Sequence, residues 1–282
     1  MTSTQKTALI TGATSGFGVY IARYILEQGY RLLLWARTEQ KGKDTLKQLQ
    51  EFVPGADIQI IVGDLASLPS VRAACEKVGR LTEHLDLLVL NAGLWNFEPV
   101  NTVDGIEETL QVNLIAPVLI EENLHSLMLK AFEAKVIFTA SGLHQGEFSF
   151  DDPEFRKGFS GFKAYRQSKL GVILVTRLLA RQYKDARIGY YCVHPGMVQT
   201  KLGQKAGWLS RTIFHWLGSS PEKGAQTHRF VIGQPREQLL AGAYYAKCKA
   251  TETTAQSNDM NTAQRVRDLI LNYLNNSAGH AR

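Results

Sequence analysis

Residues 7–18 read Thr-Ala-Leu-Ile-Thr-Gly-Ala-Thr-Ser-Gly-Phe-Gly. The apolar run at the start of this stretch predicts a buried strand, and the apolar spacing after its end predicts a helix. In the turn between them, Gly12 allows a sharp bend, Gly16 leaves room for a phosphate oxygen against the backbone, and Gly18 lets the helix pack close to the strand. The stretch therefore indicates a dinucleotide-binding turn, in which the N-terminus of the helix faces the phosphate. An ordinary glycine-rich connection is the alternative.

Apolar runs alternate with amphipathic stretches along the rest of the chain. Further strands are predicted at residues 31–35, 58–62, 85–90, 134–140 and 187–193. Helices are predicted at residues 19–26, 43–52, 71–81, 104–129, 162–183 and 262–274, with loops at 143–161 and 197–221. Because parallel strands need crossover connections, this alternation predicts an α/β fold: one Rossmann-type domain over residues 1–282, with a doubly wound parallel sheet and helices on both faces.

The cysteines and the apolar runs exclude several classes of protein. Cys75, Cys192 and Cys248 occur without a CxxC pair, which argues against a disulfide framework and a zinc site, so no metal is predicted. The first six residues contain no apolar signal region, and no run reaches the ~18–20 apolar residues that a membrane span needs. We therefore expect a cytoplasmic protein without a membrane span.

The net charge of +6 is concentrated in residues 201–250, which hold eight basic and two acidic residues. Such a segment could hold an anionic cofactor, an anionic substrate or a membrane surface, or it could be a solvated face. Its basic residues are interleaved with apolar ones and form no stripe, so nucleic-acid binding is not predicted.

Doubly wound sheets bind ligands at the carboxyl ends of their strands, so the residues that follow each predicted strand are candidates. Arg37 follows the second strand, where NAD-selective folds usually carry an acid about 20 residues beyond the glycines. A guanidinium there could bind a 2′-phosphate, which favours NADP(H) over NAD(H), or it could be a solvated surface group. Asp64 follows the third strand and could accept a hydrogen bond from adenine or cap the helix that starts near Ser67.

Three further positions carry candidate chemistry. Tyr165 and Lys169 lie on one helical face, where the ammonium would lower the pKa of the phenol and make it a general acid or base. An exposed pair of this kind is the alternative. Asn113 is unfavourable inside a helix and needs either a packing kink or a polar network to explain it. His194 ends the sixth strand and is either a catalytic base or a structural histidine.

Taken together, these residues resemble the short-chain dehydrogenase/reductase family over residues 6–235. Residues 11–18 resemble its cofactor motif, residues 91–93 its Asn-Ala-Gly turn, and residues 194–200 its Pro-Gly segment. The residues that match the catalytic tetrad of the family, in order, are Asn113, Ser141, Tyr165 and Lys169.

The resemblance implies a role for each member of the tetrad. Tyr165 would transfer the proton to or from the substrate oxygen, and Lys169 would lower its pKa and bind the nicotinamide ribose. Ser141 would hydrogen-bond the substrate oxygen, and Asn113 would hold a water that links Lys169 to solvent. The cofactor would contact Thr11, Gly12, Ser15, Gly16, Phe17, Gly18, Arg37, Asp64, Leu65, Asn91, Ala92, Gly93, Tyr165, Lys169, Pro195, Gly196, Val198 and Thr200.

Within the family, three features resemble the retinol-dehydrogenase-like branch: Ala36-Arg37, the 24 positions between Ser141 and Tyr165, and the sequence Ser-Pro-Glu-Lys-Gly-Ala at residues 220–225. The chain differs from that branch at Ala140, where a serine is usual, and we expect it to be without the N-terminal membrane anchor that many members of the branch carry. The prediction is an NADP(H)-dependent oxidoreductase that transfers a hydride between the nicotinamide and the carbonyl or alcohol of an apolar small molecule.

One alternative function accompanies this prediction. A non-catalytic NADP(H)-binding regulatory protein would share the fold, but its tetrad would be damaged.

The apolar residues of the segment 197–221 predict a lid over the substrate, and helices packed on the core or an oligomer contact are the other interpretations. A homo-oligomer is expected from the resemblance alone.

Overall fold

The computed structural model describes residues 5–184, 187–196 and 220–278. Its centre is a sheet of eight strands in the order β3-β2-β1-β4-β5-β6-β7-β8. Every neighbouring pair is parallel except β7 and β8. The strands are β1 Thr7–Ile10, β2 Arg31–Ala36, β3 Ile58–Val62, β4 Leu87–Leu90, β5 Ala134–Thr139, β6 Ile188–His194, β7 Tyr244–Ala246 and β8 Lys249–Thr251.

Helices cover both faces of this sheet. They are α1 Phe17–Glu27, α2 Glu39–Phe52, α3 Leu68–Leu81, α4 Glu108–Leu110, α5 Ala116–Lys130, α6 Gly161–Gln182, α7 Pro221–Gly224, α8 Gln226–Gly233 and α9 Met260–Ala278. A π-helical turn, Gln111–Ile115, joins α4 to α5, and two short 3-10 turns lie at Arg236–Gln238 and Gln256–Asn258. The predicted fold class, a doubly wound parallel sheet between helices, is confirmed.

The core consists of two layers because successive side chains of a strand point to opposite faces. Leu9 and Leu33 pack in one layer with α3, α5, α6 and α9. Ile10 and Leu34 pack in the other layer with α1, α2 and α8. Both faces of the central strands are therefore buried, which explains why these strands appear in the sequence as continuous apolar runs.

The structure differs from the sequence prediction in two places. The helix predicted at 104–129 is interrupted by the π-helical turn, and Pro117 lies in the first turn of α5 directly after it. The antiparallel hairpin of β7 and β8 was not predicted. Residues 143–160 contain no helix or strand, as the loop prediction requires.

None of the helices in the described ranges is both long enough and apolar enough to cross a membrane.

Candidate active site

The glycine-rich turn between β1 and α1 has the backbone geometry of an anion site. Gly12 and Gly16 have positive φ angles of 69° and 59°, a region that glycine adopts without strain. A Cβ on Gly18 would lie 2.1 Å from the carbonyl oxygen of Gly12, so only glycine permits this contact between helix and turn. No side chain caps α1 and its first turn holds no acid, so its amide groups are free of a competing side-chain acceptor.

Hydrogen bonds join this turn to the Asn-Ala-Gly turn that follows β4. The Thr11 hydroxyl accepts from the backbone N–H groups of Asn91 and Ala92, both at 3.1 Å. The Asn91 side chain donates to the Gly12 carbonyl at 3.0 Å. A Cβ on Gly93 would lie 3.3 Å from Asn113 Oδ1 and Lys169 Nζ, so this position forms a cradle that a larger side chain would fill.

Two predicted cofactor residues follow β2 and β3. Arg37 is exposed directly after the buried Ala36. The nearest acid along the chain, Glu39, is held by Lys43 at 2.7 Å. Asp64 accepts a hydrogen bond from the Ala66 N–H at 3.0 Å.

The structure shows which residue caps α3. The N-cap of α3 is Ser67, whose hydroxyl accepts from the Ser70 N–H at 3.3 Å. The alternative interpretation of Asp64, as the cap of this helix, is therefore wrong. Leu65 is buried, and its carbonyl accepts from the Gln111 side chain at 3.2 Å.

The predicted tetrad comes together at the carboxyl ends of β4 and β5. Tyr165 forms a side-chain hydrogen bond with Ser141. Lys169 Nζ lies 5.8 Å from the centroid of the Tyr165 ring and donates to the Thr139 carbonyl at 2.9 Å. Ser141 and Lys169 thus lie beside one phenol, the arrangement that acid–base chemistry on a substrate oxygen needs.

Asn113 occupies the centre of the π-helical turn, and its amide is fully engaged. Its Oδ1 accepts from the Leu94 N–H at 2.8 Å, and its Nδ2 donates to the Leu94 carbonyl at 2.9 Å and to Ser168 Oγ at 3.0 Å. The sequence analysis expected either a kink or a polar network at Asn113. The structure has a π-helical turn there and a polar network around the side chain. The amide joins the loop after β4 to α6, the helix that carries Tyr165.

The electrostatics of the pair on α6 differ from the sequence expectation. Burial raises the pKa of Tyr165 above its ordinary value, and the hydrogen bond with Ser141 opposes that shift. Burial lowers the pKa of Lys169 to about 8. The expected lowering of the Tyr165 pKa by Lys169 is not the dominant effect here, because desolvation outweighs it and the ammonium is directed at the Thr139 carbonyl.

Two histidines and a tyrosine hold the backbone around Ser141, and of these three the sequence analysis singled out His194. His144 Nδ1 and the Tyr244 hydroxyl donate to the Ser141 carbonyl, at 2.8 and 3.2 Å. His194 Nδ1 accepts from the Gly142 N–H at 3.1 Å, and burial lowers its pKa to about 4. His194 is therefore neutral at pH 7 and has the structural role, one of its two predicted alternatives.

A third histidine, His228 of α8, completes the network behind the glycine turn. Its Nε2 lies 2.8 Å from the Thr139 hydroxyl, which in turn lies 3.2 Å from Asn91 Oδ1. Since the amide oxygen can only accept, Thr139 donates to Asn91 and accepts from a protonated Nε2 of His228. No periodic signal marks this residue, because the contact spans 89 positions of the chain.

Aromatic rings cover the catalytic phenol. Trp95 stacks on Tyr165 with ring centroids 4.6 Å apart, and its ring also contacts Phe97 at 5.1 Å and Phe162 at 6.0 Å. Phe97 and Phe162 remain 37% and 45% exposed. The sequence signal that could have placed Trp95 here is its position two residues after the Asn-Ala-Gly turn. That turn follows a strand whose carboxyl end lies at the binding edge of the sheet.

The remaining predicted residues lie at the edges of this site. Phe17 is buried in the first turn of α1, and Ser15 is exposed in the glycine turn. Pro195 and Gly196 follow β6 directly. Val198, Thr200 and residues 197–219 of the predicted lid lie outside the described residues.

Comparisons with known proteins agree with this geometry. The model of the short chain dehydrogenase family matches residues 6–207. Retinol dehydrogenase 14 of Mus musculus is 31% identical, over 94% of this chain and 84% of the relative. Retinol dehydrogenase 11 of Mus musculus is 28% identical, over 95% of this chain and 86% of the relative.

Solved structures share the fold at lower sequence identity. An uncharacterised protein from Mycobacterium paratuberculosis superimposes with a TM-score of 0.78 and 22% identity, covering 96% of this chain and 94% of that one. The Pseudomonas aeruginosa RhlG/NADP active-site complex has a TM-score of 0.68 and 24% identity, with 85% and 93% coverage. The chain belongs to the short-chain dehydrogenase/reductase family of oxidoreductases, in the branch that resembles the retinol dehydrogenases.

Proposed function

We propose that this protein is an NADP(H)-dependent oxidoreductase that acts on the carbonyl or alcohol group of a small molecule with an apolar body. The observation that carries the proposal is the pairing of Tyr165 with Ser141 above Lys169, beside the glycine turn. The bound nicotinamide would supply the hydride to the carbonyl carbon, or remove it from the alcohol carbon.

The residues present fit a dinucleotide. The amides of the first turn of α1 have no side-chain cap, and a phosphate is the ligand that such a terminus binds best. Gly93 leaves open the space above Asn113 and Lys169 that a Cβ would fill. Gly12, Gly16 and Gly93 would therefore lie against the cofactor.

The preference for NADP(H) is supported by the end of β2. Arg37 is exposed there, and Glu39, the acid closest to it along the chain, is paired with Lys43. A guanidinium binds a phosphate through two parallel hydrogen bonds, whereas a carboxylate at this place would repel it. Arg37 would therefore hold the 2′-phosphate of the adenosine ribose.

The acid–base step falls to the chain's own residues. In reduction, the Tyr165 hydroxyl would donate its proton to the substrate oxygen while Ser141 donates a hydrogen bond to the same atom. Negative charge on that oxygen would thus develop against two positioned donors. The Lys169 ammonium would stabilise the resulting phenolate until it regains a proton. In oxidation the proton moves in the opposite direction.

An apolar substrate body is supported by the aromatic cluster at Tyr165. Trp95, Phe97 and Phe162 form a continuous ring surface that begins at the phenol, and the two phenylalanines are partly exposed. Exposed aromatic surface next to a reactive group is the usual composition of a small-molecule site.

A side-by-side titration of the purified protein with NADPH and NADH, followed by NADPH-dependent reduction of simple aldehydes, tests the proposal. We expect tighter binding of NADPH and oxidation of NADPH that depends on the aldehyde. Binding of neither nucleotide would overturn the proposal, and a preference for NADH would overturn the role of Arg37.

A further inference from the structure

Arg166, the residue after Tyr165 on α6, is a half-buried cation without a polar partner. Its guanidinium forms no hydrogen bond or ion pair with any residue in the described ranges, and its Nε is fully enclosed by the protein. Among the described residues, the contact that offsets its charge is the Phe162 ring, 5.2 Å from the guanidinium carbon. The enclosed Nε is out of reach of a ligand, whereas the two Nη groups are not among the enclosed atoms and can donate to an incoming acceptor.

The guanidinium lies against the loop that follows Ser141. A Cβ placed on Gly146 would be 3.7 Å from Arg166 Nη2, so the loop that follows Ser141 passes over the guanidinium. The positive charge of Arg166 also contributes to the lowered pKa of His144, the residue that holds the Ser141 carbonyl. Arg166 is therefore enclosed between α6 and the loop that begins at the predicted substrate-binding serine.

A second donor without a partner belongs to the same cluster. The indole N–H of Trp95 is buried and has no hydrogen-bond acceptor within the described part of the chain. Trp95 and Arg166 both contact the Phe162 ring, at 6.0 and 5.2 Å. Two unsatisfied donors therefore border one aromatic surface that begins at Tyr165.

The acids near this surface do not neutralise it. Glu147 and Asp151 form no ion pair with Arg166 among the described residues. Asp152 accepts from the backbone of Arg156 and Lys157, and Glu154 is paired with Arg156 at 2.9 Å. The surface thus combines apolar rings, unsatisfied donors and one uncompensated positive charge.

We propose that Arg166 binds a carboxylate on the substrate, and that the protein acts on carbonyl compounds that carry this carboxylate on an apolar or aromatic body. The proposal rests on the proposed function. The planar guanidinium matches a carboxylate through two parallel hydrogen bonds, and Phe162 holds it in place. The carboxylate is unchanged in the reaction: the aldehyde carbon gains the hydride, its oxygen gains the proton of Tyr165, and NADPH is oxidised to NADP⁺.

The test compares two substrates that differ in one charge, 4-formylbenzoate and its methyl ester. We expect the wild-type kcat/KM to be higher for the acid. Arg166→Gln should lower kcat/KM for the acid by about 20-fold and for the ester by less than about threefold, as expected for the loss of a charged hydrogen bond. Arg166→Lys should retain part of the preference. Lys163→Gln removes an exposed charge from the same turn of α6 and should change neither value.

A binding measurement separates this proposal from the proposed function. Benzoate and methyl benzoate are not reduced, and calorimetry with the NADPH complex measures their affinity whether or not any aldehyde is turned over. Benzoate should bind more tightly than its ester to the wild-type protein and lose that advantage in Arg166→Gln.

Equal affinities in the wild-type protein, or an equal effect of Arg166→Gln on both compounds, would overturn the role of Arg166. Absence of turnover with a retained benzoate preference would instead overturn the proposed carbonyl chemistry while supporting the carboxylate site.

Discussion

Trp95 lies flat on Tyr165, with ring centroids 4.6 Å apart and ring planes inclined by 14°. The stack fixes the plane of the phenol, while the hydrogen bond with Ser141 fixes the direction of its hydroxyl. Two restraints from different elements, the loop after β4 and the loop after β5, therefore hold the phenol that would transfer a proton in the proposed function. Such positioning matters because small displacements of a catalytic group reduce rate strongly.

Replacement of Trp95 tests this restraint. Trp95→Ala should lower kcat/KM for apolar aldehydes by about tenfold, because it removes both the stack on Tyr165 and part of the aromatic surface. Trp95→Phe should retain most of the activity. Phe52→Ala removes a partly exposed aromatic ring at the C-terminal end of α2 and serves as the control. An unchanged kcat/KM in Trp95→Ala, measured with a stable folded protein, would show that the stack has no role in turnover.

Removal of the phenolic hydroxyl tests the acid–base assignment. Tyr165→Phe should lower kcat by about 10²–10⁴-fold, the usual contribution of a positioned general acid. Its NADPH affinity should remain within about twofold, because the ring and its stack with Trp95 are kept. Steady-state kinetics and a fluorescence titration on the same preparation measure both values. Turnover within about tenfold of wild type would exclude Tyr165 as the proton donor.

The cofactor preference depends on a single side chain in our proposal. Arg37→Ala should weaken NADPH binding by about 10–100-fold and leave NADH binding unchanged, since only NADPH carries the 2′-phosphate. Lys41→Ala removes a nearby exposed charge on α2 and controls for general electrostatic attraction. Equal losses in the two variants, or equal losses for the two nucleotides, would contradict a specific contact between Arg37 and the phosphate.

The periodic part of the fold was predictable because the central strands are buried on both faces and appear as continuous apolar runs. β3 has the predicted bounds, and α6 begins and ends one residue before its predicted limits. β7 and β8 were missed because they are three residues long and turn at Lys247 and Cys248, which adopt positive φ angles without the glycine that usually marks such a turn.

The site was predictable only where short motifs carry it. The tetrad was predicted from the resemblance of its motifs to the family, whereas His144, His228 and Trp95 act through contacts that the fold creates. His228 reaches Thr139 across the sheet from α8, and no local pattern distinguishes it from another packed histidine. The π-helical turn at Gln111–Ile115 was also invisible, because one extra residue in a buried helix does not disturb an apolar run.

The buried His228 should make stability depend on pH. Burial lowers its pKa to about 3, whereas an unfolded histidine has a pKa of about 6.5, so between these values the unfolded state binds one more proton than the folded state. The contribution of the neutral imidazole to the free energy of unfolding is therefore fully present above pH 6.5, and it is lost as the pH decreases toward 3. The slope is about 1.4 kcal/mol per pH unit for one proton.

His194 and His144 contribute in the same direction, because burial lowers their pKa values as well. His228→Gln keeps a donor for the Thr139 hydroxyl and removes one titrating group. Urea unfolding at pH 7 and pH 5 should therefore show a smaller loss of stability in this variant, by about 2 kcal/mol over that interval. If the variant and the wild-type protein lost equal stability between the two pH values, His228 would have to be protonated or solvated in the folded state, and the network that joins α8 to Asn91 would need another donor.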